Sequence, residues 1–138
     1  MTVLEVAHTA AAKALLTPTG LTVHNGKLPD DATTLTRPYV LLYSAVAWEF
    51  DNPNVSINHE SSSCAVSLYA HCVADNDDAV TTVTGRVRAV WLDVVPTVAG
   101  RVCTPIRQVS VQPSRQDNSL GPAVLEALAI YEFESRPA

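Results

Sequence analysis

Two stretches of alternating side chains constrain the fold of this chain most strongly. In residues 63–73, apolar side chains from Cys64 to Cys72 alternate with small polar and aromatic ones. Because successive side chains of a strand point to opposite faces, this pattern predicts a strand with one buried face. Residues 38–51 are apolar on both faces, which is typical of a strand inside a sheet. The polar connection at 52–62 predicts that the two strands form a long antiparallel hairpin.

Two other segments have helical spacing. In residues 2–16, Leu4, Ala11 and Leu15 recur at helical intervals, and Thr2 with Glu5 gives a capping-box pattern. A second helix is predicted from the acidic start at 75–78 to about residue 94. Gly85 lies inside it, where we expect a close approach of helix to sheet. The apolar stripe of this helix comprises Ala79, Val80, Val83, Val87, Val90, Trp91 and Val94.

The remaining segments predict shorter elements. Residues 21–24 are a strand candidate, and residues 105–113 carry a strand with Ile106, Val109 and Val111 as its apolar members and a bulge. Residues 114–122 read as a polar loop. Residues 124–135 fit a helix through Leu128 or a strand, and the alternation at 130–134 favours the strand, which we place at the sheet edge.

This order of elements predicts the fold class. It indicates a single α+β domain over residues 1–138, with a mixed, mainly antiparallel sheet of four to five strands. Both helices are expected to pack on one face of that sheet.

Composition excludes several functions. The net charge is −5 and only nine residues are Lys or Arg, which argues against tight nucleic-acid binding and against a polybasic membrane patch. No apolar run approaches the roughly 20 residues that span a bilayer. The N-terminus lacks the basic region of a signal peptide, so we expect a product made in the cytoplasm. The three cysteines, Cys64, Cys72 and Cys103, are predicted to be free, buried core residues.

No residue pattern predicts a chemical site. The four histidines (His8, His24, His59 and His71) lack metal-binding spacing, and His71 and Cys72 are adjacent strand residues that face opposite ways. Neither a phosphate-binding glycine loop nor a nucleophile elbow is present. The expectation is therefore a protein that is not an enzyme, with no catalytic, cofactor-binding or metal-ligating residues.

Three sets of residues could suggest a functional site, but each has a simpler structural interpretation. Asp75, Asp77 and Asp78 lack the spacing of a calcium loop and are interpreted as a helix cap. Trp48 and Trp91 are interpreted as core anchors because each lies in an apolar stripe. The carboxylates of the last strand are interpreted as a solvated face. They are Glu126, Glu132 and Glu134.

Segments in this order resemble the tail terminator proteins of long-tailed bacteriophages. They are an Ala-rich first helix, RPYVLLY at 37–43, AVSLY at 65–69, GRVRAVWL at 85–92, TPI at 104–106, PSRQD at 113–117 and IYEF at 130–133. The resemblance spans nearly the whole chain and rests on pattern, because the family has no catalytic motif.

The resemblance implies a structural role in the virion. Such proteins form a ring, usually a hexamer, at the head-proximal end of the tail, where the ring ends tube polymerisation and provides the head-joining surface. The implied partners are further copies of the chain, the major tail tube protein and the neck proteins, and DNA passes through the ring without specific binding. As a hypothesis, the loops at 52–62 and 114–122 contact the tube or a neighbouring subunit.

Two alternatives stay open at this stage. A head–tail connector, such as a stopper or neck protein, has similar size and composition. A small-molecule-binding or enzymatic α+β domain would need a concave site with convergent polar groups, which the residue patterns do not predict.

Overall fold

The chain folds as two helices on one side of a mixed, mainly antiparallel sheet. The computed structural model describes residues 4–25, 38–48, 63–116 and 124–138. The helices are α1 (Leu4–Leu16), followed by a 3-10 turn at Thr17–Thr19, and α2 (Asp77–Trp91). The strands are β1 (Val23–Asn25), β2 (Tyr39–Trp48), β3 (Cys64–Ala74), β4 (Arg101–Cys103), β5 (Arg107–Val111), β6 (Arg115–Gln116) and β7 (Leu125–Pro137).

The α+β class is confirmed, and the described residues contain seven strands instead of four to five. The difference comes mainly from β4 and β6, which have three and two residues. Strands this short carry no periodic signal in a sequence, so β4 went unpredicted and β6 lies in what was predicted to be a loop.

The sheet is built around β3 and β7. The strand order is β1-β2-β3-β7, and β4, β5 and β6 all pair with β7 along its other side. The β2–β3 hairpin is confirmed, with antiparallel register from Tyr39 opposite Val73 to Trp48 opposite Cys64. Only β1 and β2 run parallel among the described pairs.

The last segment is a strand, as predicted, but its placement at the edge was wrong. β7 pairs with β3 from Ala74 opposite Leu125 to Cys64 opposite Ser135, and β4, β5 and β6 occupy its second side. Alternation along a sequence reports which faces a strand buries. It carries no information about how many neighbours the strand has.

The core lies between the sheet and the two helices, which confirms that both helices pack on one face. Trp91 of α2 is fully buried, donates its indole N–H to the carbonyl of Ala12 at 3.1 Å and meets Tyr131 edge to face at 5.1 Å between ring centroids. Ser44, the one polar residue on the helix-facing side of β2, hydrogen-bonds Thr9 of α1. The strands contribute a continuous apolar layer: Val40, Leu42, Cys64, Val66, Leu68, Ala70, Cys72, Ala129, Tyr131 and Phe133.

The sequence predicted the start of α2 correctly but the role of its glycine wrongly. Asn76 is the N-cap and accepts a hydrogen bond from the Ala79 amide at 2.8 Å, while Asp77 and Asp78 occupy the first turn. The helix ends at Trp91, earlier than predicted, because Leu92 is extended and Asp93 has φ of 63°. A Cβ added at Gly85 would meet nothing within 4 Å, so the predicted close approach to the sheet was wrong.

β5 contains the predicted bulge, between Gln108 and Ser110. Its apolar residues differ from expectation. Ile106 is fully buried but precedes the strand, while Val109 and Val111 are 55 % and 45 % exposed. The apolar side chains of β5 therefore face solvent along the margin of the sheet.

Candidate functional site

The sheet face opposite the helices carries an apolar centre, which we call the open face. The register aligns Tyr43, Tyr69 and Ile130 in one row across β2, β3 and β7. Leu41 and Leu128 flank His71 in the next row. Most of these side chains are half-buried, and Tyr43 is 41 % exposed. An apolar centre of this kind is typical of surfaces that contact other proteins.

Two hydrogen-bonded side-chain pairs border this apolar centre. The Nδ1 atom of His71 lies 2.5 Å from Oε1 of Glu126, and the imidazole meets the ring of Tyr43 edge to face. Arg107 reaches Glu132 at 3.4 Å. The predicted carboxylates do share this face, but the side chain of Glu126 is only 13 % exposed, so its interpretation as solvated was wrong. Glu126 and Glu132 are six residues apart on one strand, about 20 Å, which is too far for paired acid–base chemistry.

A groove lies between α2 and β5 at the margin of the sheet. It has a volume of about 570 Å³ and is lined by Thr84, Gly85 and Arg88 of the helix and by Gln108 and Val111 of the strand. Asp77 lies at one end, where Ser114 donates a hydrogen bond to its carboxylate. The groove thus combines an exposed valine with small and polar helix residues.

A buried polar cluster lies at the end of the sheet opposite to Asp77 and Ser114. The Nε2 atom of His8 is 2.8 Å from Oγ of Ser135, and its Nδ1 atom is 2.5 Å from the Leu4 carbonyl oxygen. Arg101 donates from Nε to Ser135 Oγ at 2.9 Å and from Nη2 to the Ser135 carbonyl at 3.1 Å. The guanidinium also lies 5.7 Å from the ring centroid of Trp48. This cluster joins α1, β4 and β7.

Sequence reasoning missed this cluster. Its members are separated by up to 127 positions, so no local motif connects them. One signal was present in the sequence. His8 lies four residues after Leu4 and four before Ala12, so it shares their apolar side of α1. A histidine at such a position needs a buried partner.

Burial governs the ionisable groups of this region. It lowers the pKa of His8 from the usual 6.5, an effect that Arg101 reinforces while the Leu4 carbonyl and Glu5 oppose it. Burial also raises the pKa of the thiols of Cys64 and Cys103, and raises that of Cys72 to about 11. Thiols that stay protonated at neutral pH are poor nucleophiles and poor metal ligands. All three cysteines are free and buried, which confirms their predicted position in the core.

The other residues singled out by the sequence remain dispersed. His24 stacks edge to face on Tyr39, and His59 lies outside the described residues. Trp91 is a core anchor, as predicted, whereas Trp48 is half-buried and donates its indole N–H to Glu5 at 3.0 Å. Within the described ranges, no three His, Cys, Asp or Glu side chains are grouped to hold a metal ion.

The two loops proposed as contacts are described only in part. Residues 52–62 lie outside the described ranges. Of residues 114–122, those at 115–116 form β6 and those from 117 onward fall outside the description. In the part of the chain that is described, no helix is long and apolar enough to cross a membrane.

Comparison with known proteins identifies the fold. No protein-family model and no curated protein matches the chain. A chain in the solved structure of the virion of a native gene transfer agent particle is similar, with a TM-score of 0.67 and 12 % identity over 97 % of this chain and 95 % of that one. A second solved structure has a TM-score of 0.66 and 12 % identity over 99 % of both chains. At this identity the likeness shows a common fold over the whole length.

Proposed function

We propose that this chain is a structural protein of the virion of a tailed phage or phage-like particle. In this proposal it forms a ring, a hexamer, that caps the tail tube, ends tube polymerisation and provides the head-joining surface. It acts without catalysis. Its partners are further copies of itself, the major tail tube protein and the neck proteins, and DNA passes through the ring.

One observation carries the proposal. The fold matches a chain of a gene transfer agent virion over 97 % of this chain and 95 % of the other, so the likeness covers the whole fold and not a common substructure. The segments that resemble tail terminators lie in the same order along nearly the whole sequence. Fold alone does not fix function, so the order of segments adds the specific role.

The surfaces of the molecule suit assembly. The open face and the groove between α2 and β5 both present apolar side chains to solvent, including Tyr43 and Val111. The thiols are buried and protonated, and the three described histidines, His8, His24 and His71, lie on separate elements. We assign the groove to the contact between neighbouring subunits in the ring.

Electron microscopy of the purified protein, alone and mixed with tail tubes of its phage, tests the proposal. We expect rings at one end of each tube and an end to tube growth after their addition. Rings that form but bind only the neck would favour the head–tail connector. A folded protein that forms no ring and binds neither structure would refute a role in the tail.

The groove is tested by a pair of valines with similar exposure. Val111→Glu places a charge in the groove and is expected to prevent ring formation. Val6→Glu on α1, where Val6 is 54 % exposed, is the matched control and should leave rings intact. Rings that persist with Val111→Glu would show that subunits meet elsewhere.

A further inference from the structure

The buried cluster at the end of the sheet has a defined direction of hydrogen bonding. A carbonyl oxygen can only accept, so His8 carries its proton on Nδ1 and donates it to Leu4 at 2.5 Å. In the neutral imidazole Nε2 is then an acceptor, and the Ser135 hydroxyl donates to it. Arg101 donates from Nε to the oxygen of the same hydroxyl at 2.9 Å. The series runs from Arg101 through Ser135 to His8 and ends at Leu4.

Protonation of His8 reverses the middle of this series. Both ring nitrogens then donate, so the oxygen of Ser135 faces donors from His8 and from Arg101 together. With its two lone pairs the oxygen can accept from both, but the Ser135 O–H loses Nε2 as its acceptor and must turn towards another group. His8 and Ser135 are 0 % and 2 % exposed, so water does not easily supply that acceptor.

The charges around the imidazole oppose its protonation. On β4, the Arg101 guanidinium is held at Ser135, so protonation of His8 would place a second positive charge beside it. On α1, Glu5 is the acidic group that favours protonation, and its carboxylate also accepts from the indole of Trp48. Cys64 on β3 and Cys103 on β4 are uncharged because burial keeps their thiols protonated.

We propose that His8, Ser135 and Arg101 form a proton-sensitive latch, which holds α1 against the end of β7 and weakens as the pH falls below about 6.5. The sign follows from the lowered pKa of His8 in the folded protein. Well above 6.5 the imidazole is neutral whether α1 is docked or free, and the latch is at full strength. Below 6.5 the His8 imidazole binds a proton when α1 is free but stays neutral when α1 is docked. Docking of α1 therefore weakens by up to tenfold per pH unit. The loss ends once the pH passes the lowered pKa.

Amide hydrogen exchange of the whole chain tests the latch. Protection factors, corrected for intrinsic exchange rates, are measured for α1 and for β3 between pH 7.5 and pH 5. We expect α1 protection to be constant above 6.5 and to fall several-fold at pH 5, with a smaller fall in β3. His8→Leu is expected to remove the pH dependence, while the matched control His24→Gln retains it.

Arg101→Gln separates a role in the latch from a structural one. Without the guanidinium charge, His8 is protonated more easily in the folded state, so its pKa moves back towards the usual value. The fall in α1 protection between pH 7.5 and pH 5 should then be smaller than in the parent protein. A purely structural arginine would lower protection equally at both pH values.

Two results would overturn the proposal. One is α1 protection that does not change with pH in the parent protein. The other is a pH-dependent fall that persists in His8→Leu. If His8→Leu does not fold, the NMR titration of His8 in the parent protein decides, because a midpoint at or above 6.5 is incompatible with the latch.

Discussion

Replacement of Trp91 by alanine should be among the most damaging single changes to this fold. The indole is fully buried, packs on Tyr131 and donates to the Ala12 carbonyl, so it joins both helices to the sheet. Truncation of a buried tryptophan to alanine costs about 3–5 kcal/mol through lost burial and the cavity left behind. The Ala12 carbonyl lies within α1 and keeps its helical partner, so no additional buried group is orphaned.

That cost converts to a measurable fall in melting temperature. A chain of 138 residues has an unfolding entropy of about 0.29 kcal/mol/K near its midpoint, so 3–5 kcal/mol corresponds to about 10–17 °C. A total stability near the middle of the usual range, about 10 kcal/mol, leaves the variant largely folded at 25 °C. Thermal denaturation followed by far-UV circular dichroism measures the shift.

Trp48→Ala is the matched control. Trp48 is half-buried at the end of β2, and its indole N–H bonds Glu5 in an exposed position. We expect less than half the loss seen for Trp91→Ala. A fall below about 5 °C for Trp91→Ala, or equal falls for the two variants, would refute the assignment of Trp91 to the centre of the core.

Three further measurements test other local inferences. Gly85→Ala should stabilise the protein by about 1 kcal/mol, because the added Cβ meets nothing within 4 Å; a loss in urea denaturation would contradict this. Asn76→Ala should cost about 1 kcal/mol through the lost cap on Ala79, whereas an unchanged midpoint would mean that the cap is unimportant. The three cysteines should resist iodoacetamide at pH 8 in the native protein and react in urea, because burial raises their pKa values; rapid native labelling counted by mass spectrometry would show that they are accessible.

The sequence predicted best those helices and strands whose apolar pattern follows directly from the face that they bury. Alternation at 63–73 predicted β3 almost to its ends, and the apolar stripe with the acidic start predicted α2. The ambiguity at 124–135 was resolved correctly by the alternation around Tyr131. In each case the signal comes from a face that the same element buries.

Features that depend on two distant elements were not predictable. The interior position of β7, the existence of β4 and the contact of His8 with Ser135 depend on which strands pair. The interpretation of Glu126 as solvated was wrong for the same reason, because its partner His71 lies on another strand. The prediction at Gly85 failed in another way. Glycine is typical of close packing between elements, but here it lies beside open space.

The position of β7 in the chain has a consequence for synthesis. β7 follows every strand that it pairs with, and it is the common neighbour of β3, β4, β5 and β6. A nascent chain can form the β2–β3 hairpin and α2 early, but the sheet cannot close until β7 has emerged from the ribosome. Sequence-distant pairing of this kind folds slowly and leaves an unpaired edge of β3 in the meantime. Chains that terminate before β7 are therefore expected to be substrates for chaperones and proteases, so that only molecules carrying the complete strand reach the pool available for assembly.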